Sequence, residues 1–370
     1  MVSFTLNSVL QSLRSPRLSR LMLGMGALLL AIEGTWSVPV HSSTAFGVYI
    51  ILLLVLLCVQ LPKLRFSAGW PAHIGMLLIL AGSVLGASER IPCRMRLYVN
   101  EAGSIAYTDD MKTVQLPFTV ALDKFETEYY ANDKIAPKQF RSYLKVDGKE
   151  MTIEVNEPAS YMGYSIFQDG YDMADGQYSV LKFVRDPWLP VVYVGMALLA
   201  VAAVLLLLDS WNRKIILPVV ILMAMLFTLF SIARIEFQCL MPVLRSWWFV
   251  PHLGMYMLAY SVVAVAVIVT FFNTPLAKQL MRSASGLIVL GMLMGSIWAR
   301  QAWGDYWGWD PKENWAAVTW FLTLMCLHVK DATRWKITMY VLLTFVALQI
   351  TWYGVNYLPS AVNSLHTYNS

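Results

Sequence analysis

Nine apolar runs, each near the length of a membrane crossing, are interrupted once by about a hundred polar residues, and this alternation constrains the fold most. The runs fall at about 21–38, 45–61, 71–87, 188–208, 215–233, 250–272, 285–300, 316–329 and 337–354. With 58% hydrophobic residues so arranged, the chain reads as a polytopic α-helical membrane protein of about nine transmembrane helices. Arg14, Arg17 and Arg20 ahead of the first run resemble the start of a signal peptide. No small-x-small cleavage site follows, so a retained helix is expected.

The interruption predicts a β-rich extracytoplasmic domain inserted after the third helix. Met151, Ile153 and Val155 alternate with Thr152 and Glu154, the period of a half-buried strand. Asp147-Gly148 is a hairpin-turn signal, and Tyr178 to Val184 reads as another strand closed by Asp186-Pro187. The domains expected are therefore N-terminal membrane helices at 1–87, the β-rich unit at 88–186 and C-terminal membrane helices at 187–370.

Orientation follows from the basic residues. With a cytoplasmic N-terminus, the inner loops hold Arg14, Arg17, Arg20, Lys63, Arg65, Arg213, Lys214, Lys278, Arg282, Lys330, Arg334 and Lys336. The short outer loops hold Arg234, Arg245, Arg300 and Lys312, twelve against four in favour of this arrangement. The net charge of +5 is thus spread along loops facing the membrane surface and does not point to nucleic acid. Cys58 and Cys326 fall in apolar runs, whereas Cys93 and Cys239 fall outside the bilayer, where pairing is conceivable. No Cys-x-x-Cys, Cys-x-x-Cys-His or phosphate-binding Gly-x-x-x-x-Gly-Lys-Ser/Thr sequence occurs, which argues against a thioredoxin-type role, a c-type cytochrome and a P-loop ATPase.

The densest chemistry lies between the seventh and eighth runs, in Trp303-Gly304-Asp305-Tyr306-Trp307-Gly308-Trp309-Asp310-Pro311-Lys312-Glu313-Asn314-Trp315. Its charges keep it out of hydrocarbon. An interfacial aromatic belt would explain the rings alone. Two glycines and three acids packed among them suggest instead a flat aromatic platform for a large planar ligand.

Trp-Gly-x-x-Trp-x-Trp-Asp-Pro-Lys-Glu resembles the tryptophan-rich signature of haem-handling proteins in cytochrome c maturation. It is most similar to that of the system II cytochrome c synthases, whose CcsB and CcsA parts are sometimes fused. Residues about 20–187 resemble the CcsB part, notably at Leu116-Pro117-Phe118, Asp123-Lys124-Phe125-Glu126, Val155-Asn156-Glu157-Pro158, Tyr164-Ser165-Ile166-Phe167-Gln168 and Arg185-Asp186-Pro187. Residues about 215–366 resemble the CcsA part.

The resemblance implies a haem exporter and synthase in the cell's cytoplasmic (inner) membrane. Haem b is its cargo and bound ligand. Haem vinyl groups would be joined to the thiols of a Cys-x-x-Cys-His motif in apocytochrome c, with a thiol-reducing partner. It further implies that His252 and His366 match an external pair of haem-iron ligands, and His73 and His328 a second pair in the membrane. Trp303, Tyr306, Trp307, Trp309 and Trp315 would form the haem surface. Asp310 and Glu313 are candidates to order the loop or to accept a proton from a thiol, and Asp305 reads equally as a solvated loop charge. Lys312 or Arg300 is suited to a haem propionate or to a local salt bridge. His41 matches none of these and reads as a solvated outer-loop residue. Two other readings use the same residues: a haem-delivery component needing a partner for attachment, and a b-type electron carrier. The carrier would place both histidine pairs inside the bilayer.

Overall fold

Local capping chemistry marks where several of the helices start. A computed structural model describes residues 6–64, 69–131, 133–172, 176–210, 216–236, 239–330 and 333–364. The expected inner-loop cations Arg65, Arg213 and Lys214, and the candidate ligand His366, lie outside the described residues. A short helix α1, Leu6–Leu13, precedes α2, Pro16–Trp36, whose entry is set by Ser15 accepting from Leu18 N at 3.2 Å and by Pro16 in the first turn. Next come α3, Thr44–Gln60, capped by Ser43, and α4, Gly69–Gly86.

The polar interruption folds as eight strands: β1 Ile91–Tyr98, β2 Ala102–Tyr107, β3 Thr113–Tyr130, β4 Asp133–Val146, β5 Lys149–Glu154, β6 Ala159–Tyr161, β7 Tyr164–Tyr171 and β8 Tyr178–Arg185. They form one antiparallel sheet in the order β5-β4-β3-β2-β1-β8-β7-β6. Its edge strands β5 and β6 meet, which curls the sheet into a nearly closed barrel. The β4–β5 hairpin turns on Asp147 and Gly148, with φ of 46° and 80°, the left-handed pair that a two-residue turn requires. Alternate side chains point inward, and Leu97, Val120, Leu122, Leu144, Ile166 and Phe183 fill the interior. Each such side chain contributes about 1.5–3 kcal/mol by leaving water. Cys93 belongs to this interior, where burial pushes its thiol up to about 11. Cys93 and Cys239 are both free, so the conceivable disulfide does not form.

The chain then returns to helices: α5 Leu189–Ser210, α6 Ile216–Glu236, α7 Phe249–Val269, α8 Thr274–Trp303, α9 Pro311–Leu327 and α10 Arg334–Trp352. Helices thus occupy all nine apolar runs. Six of those described, α2, α4, α5, α7, α8 and α10, are long and apolar enough to cross a membrane. Helices α3 and α9 have 17 residues each, and the continuous apolar stretch described in α6 is Val220–Leu229. The chain is a multi-pass membrane protein with a β domain inserted among its helices.

Helix α8 begins eleven residues before the apolar run that announced it. Asn273 caps it, and its polar first turns are used: Gln279 donates to Ser210 O at 2.9 Å and Arg282 to Asp209 at 3.2 Å. Helices α4 and α5 cross at Gly75 and Gly195, where a Cβ on either would come within 2.7 Å of the other's carbonyl oxygen. Helix α2 runs against α9 along its length. Arg20 donates to His328 O at 2.6 Å near one end, and Gly34 lies against Trp315 near the other.

Candidate functional site

The tryptophan-rich segment links α8 to α9 and is gripped from two directions. Gly304 ends α8 in the left-handed conformation, φ 81°, its N–H donating to Arg300 O at 3.1 Å. A Cβ there would come within 3.1 Å of Phe167 and Val184, because the barrel packs directly against this turn. Lys182 of β8, itself buried, donates to Trp303 O and to Asp305, each at 2.7 Å. Arg90 donates to Gly304 O at 3.0 Å and pairs with Asp305. Burial pushes the Asp305 carboxyl up, but Lys182 and Arg90 together outweigh it and hold it below the usual carboxylate range. Tyr306 shares a hydrogen bond with Ser83 of α4 at 2.9 Å.

The other half is held by helices. Trp309 adopts a φ of 58°, unusual for a bulky residue. Its indole lies flat on the His41 imidazole, with centroids 4.7 Å apart and planes 5° apart. It meets Phe46 of α3 edge-on at 5.4 Å and Trp307 edge-on at 6.2 Å. The flat platform expected from the sequence is therefore corrected. Trp307 and Trp309 stand 84° apart, because each ring packs among helices α2, α3 and α9. The start of α9 is a capping box: Glu313 accepts from Gly308 N at 2.7 Å and Asp310 N at 3.2 Å, while Asp310 accepts from Lys312 N at 2.8 Å. Ser364 Oγ reaches both Asp310 oxygens, at 2.9 and 3.2 Å. The Nε1 of Trp315 is buried with no hydrogen-bond partner among the described residues.

His41 sits at the centre of this half, which corrects the expectation of a solvated loop residue. Its Nδ1 and backbone N–H both bind Glu33, a carboxylate only 5% exposed near the end of α2. A lone acid in an apolar run was the available signal, since an ionisable group in a membrane helix marks function by default. A cleft of about 240 Å³ opens here, lined by Glu33, Ser37, His41, Gly308, Trp309 and Asp310 among others.

The three other described histidines share one feature. His73 Nδ1 bonds Gly69 O at 2.7 Å, His328 Nδ1 bonds Leu324 O at 2.8 Å, and His252 Nδ1 bonds Gly291 O of α8 at 2.7 Å. A carbonyl oxygen only accepts, so Nδ1 carries the hydrogen in each ring and Nε2 the lone pair. An imidazole meeting a metal needs that tautomer. His73 of α4 and His328 at the end of α9 come within electrostatic reach of each other. His252 approaches the tryptophan-rich segment through Trp298, whose ring is 6.0 Å from His252 and 5.9 Å from Trp303. Arg300 is buried against Phe167 and donates to Gly304 O. These contacts are to a backbone carbonyl and a ring face, whereas a haem propionate or a local salt bridge was expected. Among the described residues no three His, Cys, Asp or Glu side chains gather into a metal-binding group.

Residues 189–362 match the family model described as Cytochrome C assembly protein, and residues 69–180 match that of the ResB-like family. The chain is 40% identical over 87 residues to the cytochrome c biogenesis protein CcsA of Hordeum vulgare, 23% of this chain and 26% of that protein. It is 41% identical over 81 residues to the protein of the same name from Gloeobacter violaceus, 21% of this chain and 24% of the relative. The matched stretch spans about a quarter of the length of these curated relatives.

Proposed function

Since the chain belongs to the system II cytochrome c biogenesis proteins, a ResB-like part fused ahead of a cytochrome c assembly part, we propose that it carries haem b outward across the membrane and attaches it to apocytochrome c. The observation that supports this most is the tryptophan-rich segment itself, a rigid aromatic loop locked on one side by the barrel and on the other by α2 and α3.

In this reading all nine helices from α2 to α10 cross the cytoplasmic membrane, and the barrel and the tryptophan-rich segment face away from the cytoplasm, the arrangement that the distribution of basic residues favours. His73 and His328 take haem near the inner side. Two features support them as a pair: their mutual proximity, and Nδ1 groups that each donate to their own helix. His252 and His366 hold the iron outside, with Trp303, Tyr306, Trp307, Trp309 and Trp315 bounding the porphyrin. Ser364, two residues ahead of His366, is anchored on Asp310, so the described chain ends at the segment. With both oxygens engaged, Asp310 serves the reaction by ordering this loop and not as a proton acceptor.

Fixing the iron from both faces sets which porphyrin edge meets the incoming peptide, and such orientation lowers the barrier to bond formation. The substrate is a reduced Cys-x-x-Cys-His peptide. Each thiol adds across a vinyl group to form a thioether, and the partner's histidine replaces one axial ligand as product leaves. The test is co-expression with a small Cys-x-x-Cys-His reporter in a host lacking its own maturation machinery, scoring covalent haem after denaturing electrophoresis. Covalent haem that vanishes with His252→Ala is expected. A reporter without covalent haem beside a haem-loaded protein would reduce the chain to a delivery component.

A further inference from the structure

We infer that the Glu33–His41 pair is the proton-transfer group of the attachment step: His41 Nε2 takes the proton from the partner's cysteine thiol and returns it to the haem vinyl carbon. This rests on the synthase reading above and adds to it a residue outside the four expected iron ligands.

Four observations carry it. The first is the pairing: Glu33 binds Nδ1 and the backbone N–H of the same histidine, which fixes the ring and leaves Nε2 as its lone-pair nitrogen. A carboxylate on the far nitrogen sets the tautomer and the orientation of the ring. The second is place. The imidazole is stacked on Trp309, the third tryptophan of the segment, so a proton acceptor and an aromatic wall stand 4.7 Å apart. The third is access: the His41 side chain is 34% exposed and lines the cleft, whereas its carboxylate partner is 5% exposed. A buried acid pinned to a half-exposed histidine is the arrangement that general-base chemistry uses. The fourth is elimination. The other carboxylate lining the cleft, Asp310, has both oxygens engaged by Lys312 N and Ser364, and Glu313 beside it accepts from two backbone amides.

The step balances without an oxidant or reductant. The thiol S–H bond breaks and its proton moves to Nε2. A sulfur lone pair forms the C–S bond to the vinyl carbon next to the porphyrin. The vinyl π pair then takes the proton from the imidazolium at the terminal carbon, and His41 is neutral again. The charged groups that line the cleft beside this ring are Glu33 from α2 and Asp310 from the start of α9, both acidic, with Lys312 next to Asp310 as the nearby cation, so a transient imidazolium meets the Glu33 carboxylate directly.

The test uses purified full-length protein carrying haem, mixed under reducing conditions with a Cys-x-x-Cys-His peptide, with attachment rate followed from pH 6 to 9.5. His41→Ala is expected to keep its haem content and absorption spectrum while attaching about 100-fold more slowly at pH 7. Its rate should then climb about tenfold per pH unit toward the thiol's own pKa of about 8.5, closing most of the gap, because solvent then makes the thiolate. Added imidazole should also restore part of the rate, and Glu33→Gln should lose about tenfold. His41→Gln, which keeps a planar hydrogen-bonding side chain against Trp309, replaces the alanine variant if that one does not accumulate. A deficit that neither pH nor imidazole relieves would make His41 a support for Trp309 and overturn the assignment. Loss of haem from the variant, or an unchanged rate, would overturn it as well. No attachment by the wild-type protein would instead sink the synthase reading and this step with it.

Discussion

The two halves of the tryptophan-rich segment are held by different physics. Residues 303–306 are fixed by charge: Lys182 and Arg90 converge on Asp305 and on the carbonyls of Trp303 and Gly304. Residues 307–315 are fixed by rings and caps, with Trp309 between His41, Phe46 and Trp307, and α9 started by Asp310 and Glu313. The charged half belongs to the ResB-like part's barrel, the aromatic half to the N-terminal helices. A segment from the assembly part is therefore clamped from two sides, by the barrel and by helices that lie earlier in the chain. Fusing the two in one chain has a physical consequence: neither clamp can dissociate from the loop by simple dilution.

This contrast can be broken from either side. The largest effect is expected from Lys182→Ala, which leaves Asp305 with Arg90 alone. Removing one partner of a buried ion pair costs about 3 kcal/mol, and somewhat less here because Asp305 is 30% exposed. Denaturation in detergent should register the loss, and amide exchange should accelerate at 303–306 and not at 310–315. Next, Gly304→Ala forces a Cβ into a left-handed turn and against Phe167 and Val184, for about 1–2 kcal/mol, by the same measurement. Asp310→Ala removes the cap of α9 and the anchor of Ser364 and should cost about 1 kcal/mol. Its exchange signature should be the reverse, confined to the aromatic half.

Acid should separate the halves too. The Asp305 carboxyl is depressed in the folded protein, so its stabilisation is fully present above the ordinary carboxylate range near pH 4 and is lost as pH falls through its lowered value. The charged half should therefore stay protected from pH 8 to about 5 and loosen only in stronger acid, and Asp305→Asn should remove that dependence. Smallest of all, a double-mutant cycle of His41→Ala and Trp309→Ala should give a coupling of about 1 kcal/mol, the worth of one stacked pair.

Much of this was legible in the chain. Helices occupy the nine apolar runs, and Asp147-Gly148 turns the hairpin it announced, because period, length and turn chemistry are local signals. The start of α8 was missed because its first turns are polar and satisfied by Asp209 and Ser210, which lie about seventy positions earlier. Within the site, the segment declared itself by composition, but its geometry did not. Four tryptophans in thirteen residues suggest a flat surface, whereas packing against three helices turns neighbouring rings perpendicular. His41 was invisible for the same reason. It is 268 positions from Trp309, and only the close run of α2 beside α9 brings them together.

The central claim is that haem is presented at the tryptophan-rich segment, and a cysteine placed there can report it directly. Gly308 is exposed, and a side chain added there meets nothing closer than Glu313 at 3.7 Å. In a haem-replete host, Gly308→Cys should trap a vinyl group and leave this chain carrying covalent haem after denaturing electrophoresis, while Ser104→Cys on the barrel's second strand should not. Equal labelling of both, or labelling of neither in protein that still binds haem, would contradict presentation at this segment.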